Sequence, residues 1–197
     1  MYNKFVKRVI DIFIALLALV IFSPLILLIS LFMGFYLRSN PFFVQSRPGK
    51  DGKIFKMIKL KTMRDISNSD QTDDRQRLTK AGIILRKFSI DELPELINVL
   101  NGDMSLIGPR PLLTKYLERY NPYQLQRHDV RPGITGLAQI KGRNSLKWNQ
   151  KFRYDIFYVK KLSFKLDVYI LTKTIANLIF PTNINSKNHA TMEEFHG

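Results

Sequence analysis

The sequence predicts an α+β protein that is mostly α. It opens with a re-entrant membrane helix-break-helix and continues into a small α-rich globular domain carrying a β-hairpin. Three observations lead there. Residues 12–37 form a 26-residue run without a charge. Pro24 interrupts that run. Beyond it, apolar residues recur mainly at helical spacing, while "FFVQSRPGKDGKIFKMIKL" reads as two strands with mixed faces around a Pro-Gly turn. A chain of 197 residues suffices for one domain with a core, and 45% hydrophobic residues exclude a disordered polycation. The absence of cysteine excludes disulfides, cysteine-rich metal sites and thiol nucleophiles. The domain boundaries read as 1–38 for the anchor, 39–181 for the globular domain and 182–197 for a polar tail.

The apolar run "IFIALLALVIFSPLILLISLFMGFYL" exceeds the ~20 residues that cross a bilayer as a helix. A secretory signal peptide would have a shorter apolar region, of about 7–15 residues, followed by a small-residue cleavage site. A straight spanning helix meets two obstacles. Pro24 removes a helical hydrogen bond and disfavours helix at Ser23. Lys4, Lys7 and Arg8 precede the run while Arg38, Arg47 and Lys50 follow it, and positive residues prefer the cytoplasmic side at both ends. A hairpin bent at Ser23-Pro24 satisfies both constraints. Each arm then reaches about halfway through the hydrocarbon at ~1.5 Å per residue.

The hairpin takes Phe42 to Ser46 as its first strand and Lys53 to Leu60 as its second. "RDISNSDQTDDRQR" reads as an exposed loop. A helix is expected over 75–87, another through "SIDELPELINVL" ending at Asn101-Gly102, then shorter ones over 113–119 and 122–129. An amphipathic, aromatic helix is expected over 148–162 and an apolar-rich one over 166–180, stopped by Pro181.

The net charge of +15 requires anionic partners: nucleic acid, an anionic membrane or phosphorylated small molecules. Arg110 lies in Gly-Pro-Arg-Pro, Arg131 in Arg-Pro-Gly and Arg143 in Gly-Arg-Asn. Stiff Gly/Pro loops that present planar guanidinium forks suit an oxyanion or diphosphate. Lys59, Lys61 and Arg86 are candidates for the same field. Asp155 and Asp167 lie beside apolar helix faces, where each could pair with a cation, orient a group or hold Mg²⁺. His128, His189 and His196 lack ligand spacing. No GxGxxG, Walker A or HExxH pattern occurs.

Asp91 and Glu92, in "SIDELPELINVL", admit two readings. Ser89-x-x-Glu92 fits a capping box, with the acids greeting the helix dipole. Pro94 opposes a start at Ser89. A start at Asp91 or Glu92 puts the proline in the first turn and leaves Asp91 at a helix mouth that also welcomes phosphate.

Taken in order, the apolar hairpin with Ser23-Pro24, "RPG", "FKMIKLKTM", "LRKFSIDELPELINVLNGDMSLIGPRPL", "RPGITGLAQIKGRN" and the aromatic stretch with Asp155, Tyr158 and Asp167 resemble the bacterial sugar transferases of the monotopic phosphoglycosyl transferase family, in its minimal form. The resemblance spans nearly the whole chain. It implies transfer of a phosphosugar from a UDP-sugar to polyprenol phosphate with release of UMP. By that resemblance Asp91 is the nucleophile that forms an aspartyl phosphosugar, Glu92 assists, and Mg²⁺ sits near Asp91. Lys59, Arg86, Arg110, Arg131, Arg143, Asp155 and Asp167 are the substrate-binding candidates. It further implies the cytoplasmic face of the inner membrane, contact with phospholipid, and other glycan-assembly enzymes as partners. The tail "HATMEEFHG" is similar to that of small enzymes that start N-linked glycan assembly on undecaprenyl phosphate, which points to an N-acetylated amino sugar such as di-N-acetylbacillosamine. The competing readings are a membrane-tethered nucleic-acid binder, against which no helix-turn-helix, RRM-like or KH-like pattern is found, and a structural membrane-surface protein in which the acidic pair only caps a helix.

Overall fold

The computed structural model describes residues 4–65, 74–142, 145–180 and 194–197. Its first element, α1 (Lys4–Leu37), is a continuous helix with Pro24 inside it. The expected break is therefore bridged. Pro24 cannot serve the carbonyl of Val20, and the Ser23 hydroxyl donates to that oxygen instead, at 3.0 Å. From Phe5 to Leu37 the helix is long and apolar enough to cross a membrane.

Burial along α1 is uneven. Lys7, Asp11 and Ala15 are buried one turn apart, and Ser30 and Met33 are buried near the other end. Val20, Ile21, Phe22 and Leu25, flanking Ser23-Pro24, are exposed. The first turns are pinned to the globular domain by polar bonds. Lys7 Nζ donates to Asp167 at 2.8 Å, and Arg8 donates to the carbonyls of Val99 and Leu100 at 2.6 and 3.0 Å. Asp11 accepts from the Ser105 hydroxyl at 2.7 Å.

The expected hairpin forms from β1 (Phe42–Pro48) and β2 (Ile54–Leu60), antiparallel from Phe42 opposite Leu60 to Pro48 opposite Ile54. Phe55 and Met57 turn inward, and Lys59 lies on the same face by the two-residue period. The mixed faces visible in the sequence thus hide a core side that ends in a lysine.

The helix expected over 75–87 is split into α2 (Asp74–Arg77) and α3 (Lys80–Lys87), because Leu78 leaves the helix to pair with Met63. Thr79 caps α3 by accepting from Gly82 N at 2.9 Å, and its hydroxyl donates to Thr62 O at 3.1 Å. A Cβ on Gly82 would collide with that same Thr62 carbonyl, so the crossing requires glycine. Of the loop expected over 64–77, residues 66–73 lie outside those described.

A 3₁₀ turn over Ile90–Glu92 leads into α4 (Glu95–Asn101), which ends on Gly102 in the left-handed region at φ 91°. Leu96 and Val99 of α4 pack with Phe55, Met57, Met104 and Ala15 into the core cluster that joins α1, the hairpin and α4.

Two three-residue strands, β3 (Ser105–Ile107) and β4 (Gly133–Thr135), pair in parallel. They are too short for a periodic signal and were not expected. A Cβ on Gly133 would meet Gly108 N, so the two loops touch only because both residues are glycine. Between the strands lie a 3₁₀ helix (Thr114–Arg119), α5 (Pro122–Leu125) and a second 3₁₀ turn (Gln126–His128), where longer helices were expected. The chain continues with α6 (Leu137–Lys141), α7 (Trp148–Lys161) and α8 (Phe164–Ile179). Of the polar tail, residues 182–193 lie outside those described. Phe195 is buried at 4% exposure in a ring of aromatics rather than solvated.

Candidate active site

Three elements converge on the acidic pair. The 3₁₀ turn supplies Asp91 and Glu92, β2 supplies Lys59, and the loop after β3 supplies Arg110. Lys59 Nζ lies 2.8 Å from Glu92 Oε1 and 2.9 Å from Glu95 Oε1. Arg110 NH2 donates to the same Glu92 oxygen at 2.7 Å. Asn98 fixes the lysine's strand against α4. Its side chain accepts from Ile58 N at 3.1 Å and donates to Lys56 O at 2.7 Å. Arg110 is positioned from behind by Arg127, whose NH2 donates to the Arg110 carbonyl at 2.6 Å. Arg127 is held by Asp155 Oδ2, which accepts from its Nε at 3.1 Å and its NH2 at 2.9 Å.

The capping box does not form. Ser89 is left-handed at φ 55° and makes no side-chain cap, while Pro94 occupies the N-cap position of α4. Glu92 faces Lys59 and Arg110 because two cations in a part-buried site outcompete one backbone N–H.

The two neighbouring carboxyls end up in opposite electrostatic states. Burial works against the charge of Glu92, but Arg110 and Lys59 outweigh it and hold the group far below the usual carboxylate range. Asp91 is pushed up, first by burial and then by the Glu92 charge, against the pull of Lys59, Arg86 and Arg110. Among the described residues, no hydrogen bond to its carboxylate offsets that rise. Glu95, 2% exposed, is raised to about 7, chiefly by burial. Burial also disfavours the charge on Lys59, yet Glu92 and Glu95 keep its pKa above the ordinary lysine value. The result is one committed anion, Glu92, beside one uncommitted and more basic carboxylate, Asp91. Of two carboxylates, the uncommitted and more basic one is the stronger nucleophile.

The remaining candidates are distributed. Arg86 Nε donates to Thr62 Oγ1 at 3.0 Å, and its charge reaches Asp91. Arg131 Nε donates to Gly102 O at 2.7 Å, at the far end of α4. Asp155 is bonded to Arg127, and Asp167 to Lys7 and the Tyr158 hydroxyl at 2.8 Å. Arg143 lies outside the described residues. His128 is buried, with Nδ1 3.0 Å from Gly49 O. Sequence reading missed Arg127 and Glu95. The only signal for Arg127 was its place between two Arg/Pro loops, and for Glu95 its four-residue spacing from Asp91.

Among the described residues no three His, Asp or Glu side chains gather as a metal site. The residues fit a cation that takes one protein carboxylate and draws its other ligands from substrate phosphate and water, as Mg²⁺ does. Asp91 would be the carboxylate to hold it.

The sequence pattern described as Bacterial sugar transferase matches residues 2–181. The chain belongs to the bacterial sugar transferase family. This sugar transferase is 46% identical over 193 residues to the uncharacterized sugar transferase EpsL of Bacillus subtilis (strain 168), covering 97% of this chain and 96% of EpsL. It is 39% identical over 191 residues to the UDP-glucose:undecaprenyl-phosphate glucose-1-phosphate transferase of Caulobacter vibrioides, covering 90% of this chain and 71% of that protein. It is 37% identical over 187 residues to the UDP-N-acetylgalactosamine-undecaprenyl-phosphate N-acetylgalactosaminephosphotransferase of Aeromonas hydrophila. There it covers 89% of this chain but only 44% of the relative. The phosphoglycosyl transferase class expected from the motifs therefore holds.

Proposed function

We propose that this sugar transferase moves a phosphosugar from a UDP-sugar to polyprenol phosphate, with Asp91 as the covalent nucleophile. The observation that carries the reading is the contrast between Glu92, fully committed to Lys59 and Arg110, and Asp91, buried, raised in pKa and uncommitted. In the first step an Asp91 carboxylate oxygen attacks the sugar-bearing β-phosphorus. The bond between that phosphorus and the bridging oxygen breaks, and UMP leaves with the bond's electron pair. In the second step a phosphate oxygen of polyprenol phosphate attacks the same phosphorus. The acyl-phosphate bond breaks, Asp91 is regenerated, and polyprenyl diphosphosugar is released. Arg110 and Lys59 reduce the repulsion between a carboxylate and a diphosphate, and Glu92 orients both cations. Bound Mg²⁺ would neutralise diphosphate charge. An N-acetylated amino sugar, di-N-acetylbacillosamine among them, is the donor proposed from the tail. The named relatives act on UDP-glucose and UDP-N-acetylgalactosamine, so a donor panel must include all three. The test is UMP release from that panel with undecaprenyl phosphate and Mg²⁺. Release from at least one donor is expected, and release that does not depend on the lipid phosphate over many turnovers would count against the second step.

The same reading places α1 as a re-entrant anchor with both ends on the cytoplasmic side. Supporting it, each half of α1 buries a stripe while the turn at Ser23-Pro24 is exposed all round. Lys7 and Arg8 in its first turns are docked on the domain, and Ser39, just beyond its other end, accepts from Lys61 at 3.2 Å. The chain has no native cysteine, so single cysteines at Phe5 and Asn40 can be labelled with an impermeant maleimide. Both should react only from the cytoplasmic side. Labelling of the two from opposite sides would show a spanning helix, and Pro24→Ala is expected to shift the chain toward that outcome.

A further inference from the structure

Glu194 and Phe195 lie far along the chain from the acidic pair, yet they are tied to the segment that carries its arginine. The Phe195 ring sits in a cup of four aromatics, with centroids 5.1 Å from Phe152, 5.2 Å from Trp148, 5.7 Å from Tyr116 and 5.8 Å from Tyr120. The rim of the cup is cationic. Glu194 lies 2.7 Å from Lys115 Nζ and 2.8 Å from Arg119 NH1, and Arg119 also donates to the Phe195 carbonyl. An acid followed by an aromatic is thus matched by a basic rim around an aromatic cup, a two-point fit in which the ring supplies packing and the carboxylate supplies register.

The floor of this cup leads to the acidic pair. Tyr120 underlies Phe195, and the Arg127 guanidinium lies 5.9 Å from the Tyr120 ring, with NH1 3.5 Å from its hydroxyl. Arg127 in turn donates to the Arg110 carbonyl at 2.6 Å, and Arg110 reaches Glu92 at 2.7 Å. Every link is a direct contact, and the middle of the chain is rigid because the Arg127 and Asp155 side chains are only 2% and 5% exposed.

We propose that the Glu194–Phe195 segment is a clasp whose docking positions the Arg110 loop over the acidic pair, with Phe195 and Glu194 as positioning residues. The clasp acts by pressing Tyr120 onto Arg127, which fixes the carbonyl, and hence the side-chain reach, of Arg110. The catalytic consequence rests on the proposed role of Arg110, but the mechanical coupling does not.

The test uses the full chain with Phe195→Ala, Phe195→Leu and Glu194→Gln. Trp148 is the only tryptophan in the sequence and lies against Phe195, so acrylamide quenching of its fluorescence reads undocking directly. Amide hydrogen exchange over residues 106–111 reads the Arg110 loop without any substrate. Phe195→Ala is expected to raise quenching of Trp148 and to speed exchange in that loop about tenfold, at temperatures where native exchange in α4 shows the domain folded. Phe195→Leu should restore most of both signals, and Glu194→Gln should give a smaller shift in the same direction. In the UMP-release assay the Phe195→Ala loss should fall on kcat/KM by about tenfold, as a slight misplacement of a binding group does. Undocking that leaves exchange over 106–111 native would overturn the clasp. A native chain that releases no UMP from any donor would overturn the functional reading instead, while the exchange result would still decide the clasp.

Discussion

Asp91→Asn is expected to lower UMP release by at least about a thousandfold, because an amide oxygen cannot form the acyl-phosphate and loss of a covalent nucleophile is among the costliest single changes an active site can suffer. The structure provides an internal control for folding. The Asp91 pKa is raised in the folded chain, so the group favours folding below the ordinary aspartate range and loses that contribution as the pH rises through the folded value. Asparagine mimics the neutral form at every pH. The variant should therefore unfold at a temperature no lower than native at pH 8, while a comparison near pH 3 shows little difference. A variant that is inactive and destabilised at pH 8 would mean that Asp91 is structural. The same group sets the acid side of the pH profile of the native enzyme: a protonated carboxyl cannot attack, so kcat/KM should fall as Asp91 takes up its proton, at a pH that bound Mg²⁺ lowers. Glu92 cannot supply that limb, since Arg110 and Lys59 keep it ionised well below the usual carboxylate range.

What was legible in the sequence follows the range of the forces involved. The apolar run, the β-hairpin and the helices α7 and α8 are written in local periodicity, and their bounds fall within a few residues of expectation. Asp91, Glu92, Arg110 and Lys59 carried motif signals, and the structure brings those four together. The capping box failed because Ser89 and Glu92 fit a local template equally well whether or not a lysine from β2 and an arginine from the β3 loop are nearby. Those partners lie 33 and 18 residues away, beyond anything local spacing reports. The same limit hid β3 and β4, each three residues long and paired across the intervening chain. Phe195 falls in a tail that reads as polar, and only the cup formed by Tyr116, Tyr120, Trp148 and Phe152 gives it a place. Asp155 is a substrate-binding candidate by the family resemblance, whereas its partner Arg127 carries no signal beyond its place between two Arg/Pro loops.

Arg127→Met is expected to destabilise the chain by about 3–5 kcal/mol, because it strands the Asp155 carboxylate in a site where both side chains are almost fully buried. For a domain of this size that is a fall of roughly 6–20 °C in melting temperature. Burial already pushes Asp155 above its ordinary pKa with Arg127 present, so the single variant should recover part of its stability on acidification, as the stranded carboxyl takes up a proton. The double variant Arg127→Met, Asp155→Leu removes both charges and replaces them with packing, which at buried pairs is often neutral or better for stability. It should regain most of the lost melting temperature at neutral pH. Activity should not return with it. The Arg110 carbonyl has lost its donor in both variants, and Arg110 is the residue that approaches Glu92 from solvent, with its side chain 45% exposed and free to drift. Stability restored without kcat/KM would separate the two tasks of Arg127, neutralising a buried acid and aiming the arginine beside it. Full activity in the double variant would place the control of Arg110 elsewhere in the Gly-Pro-Arg-Pro loop, in the prolines that flank it.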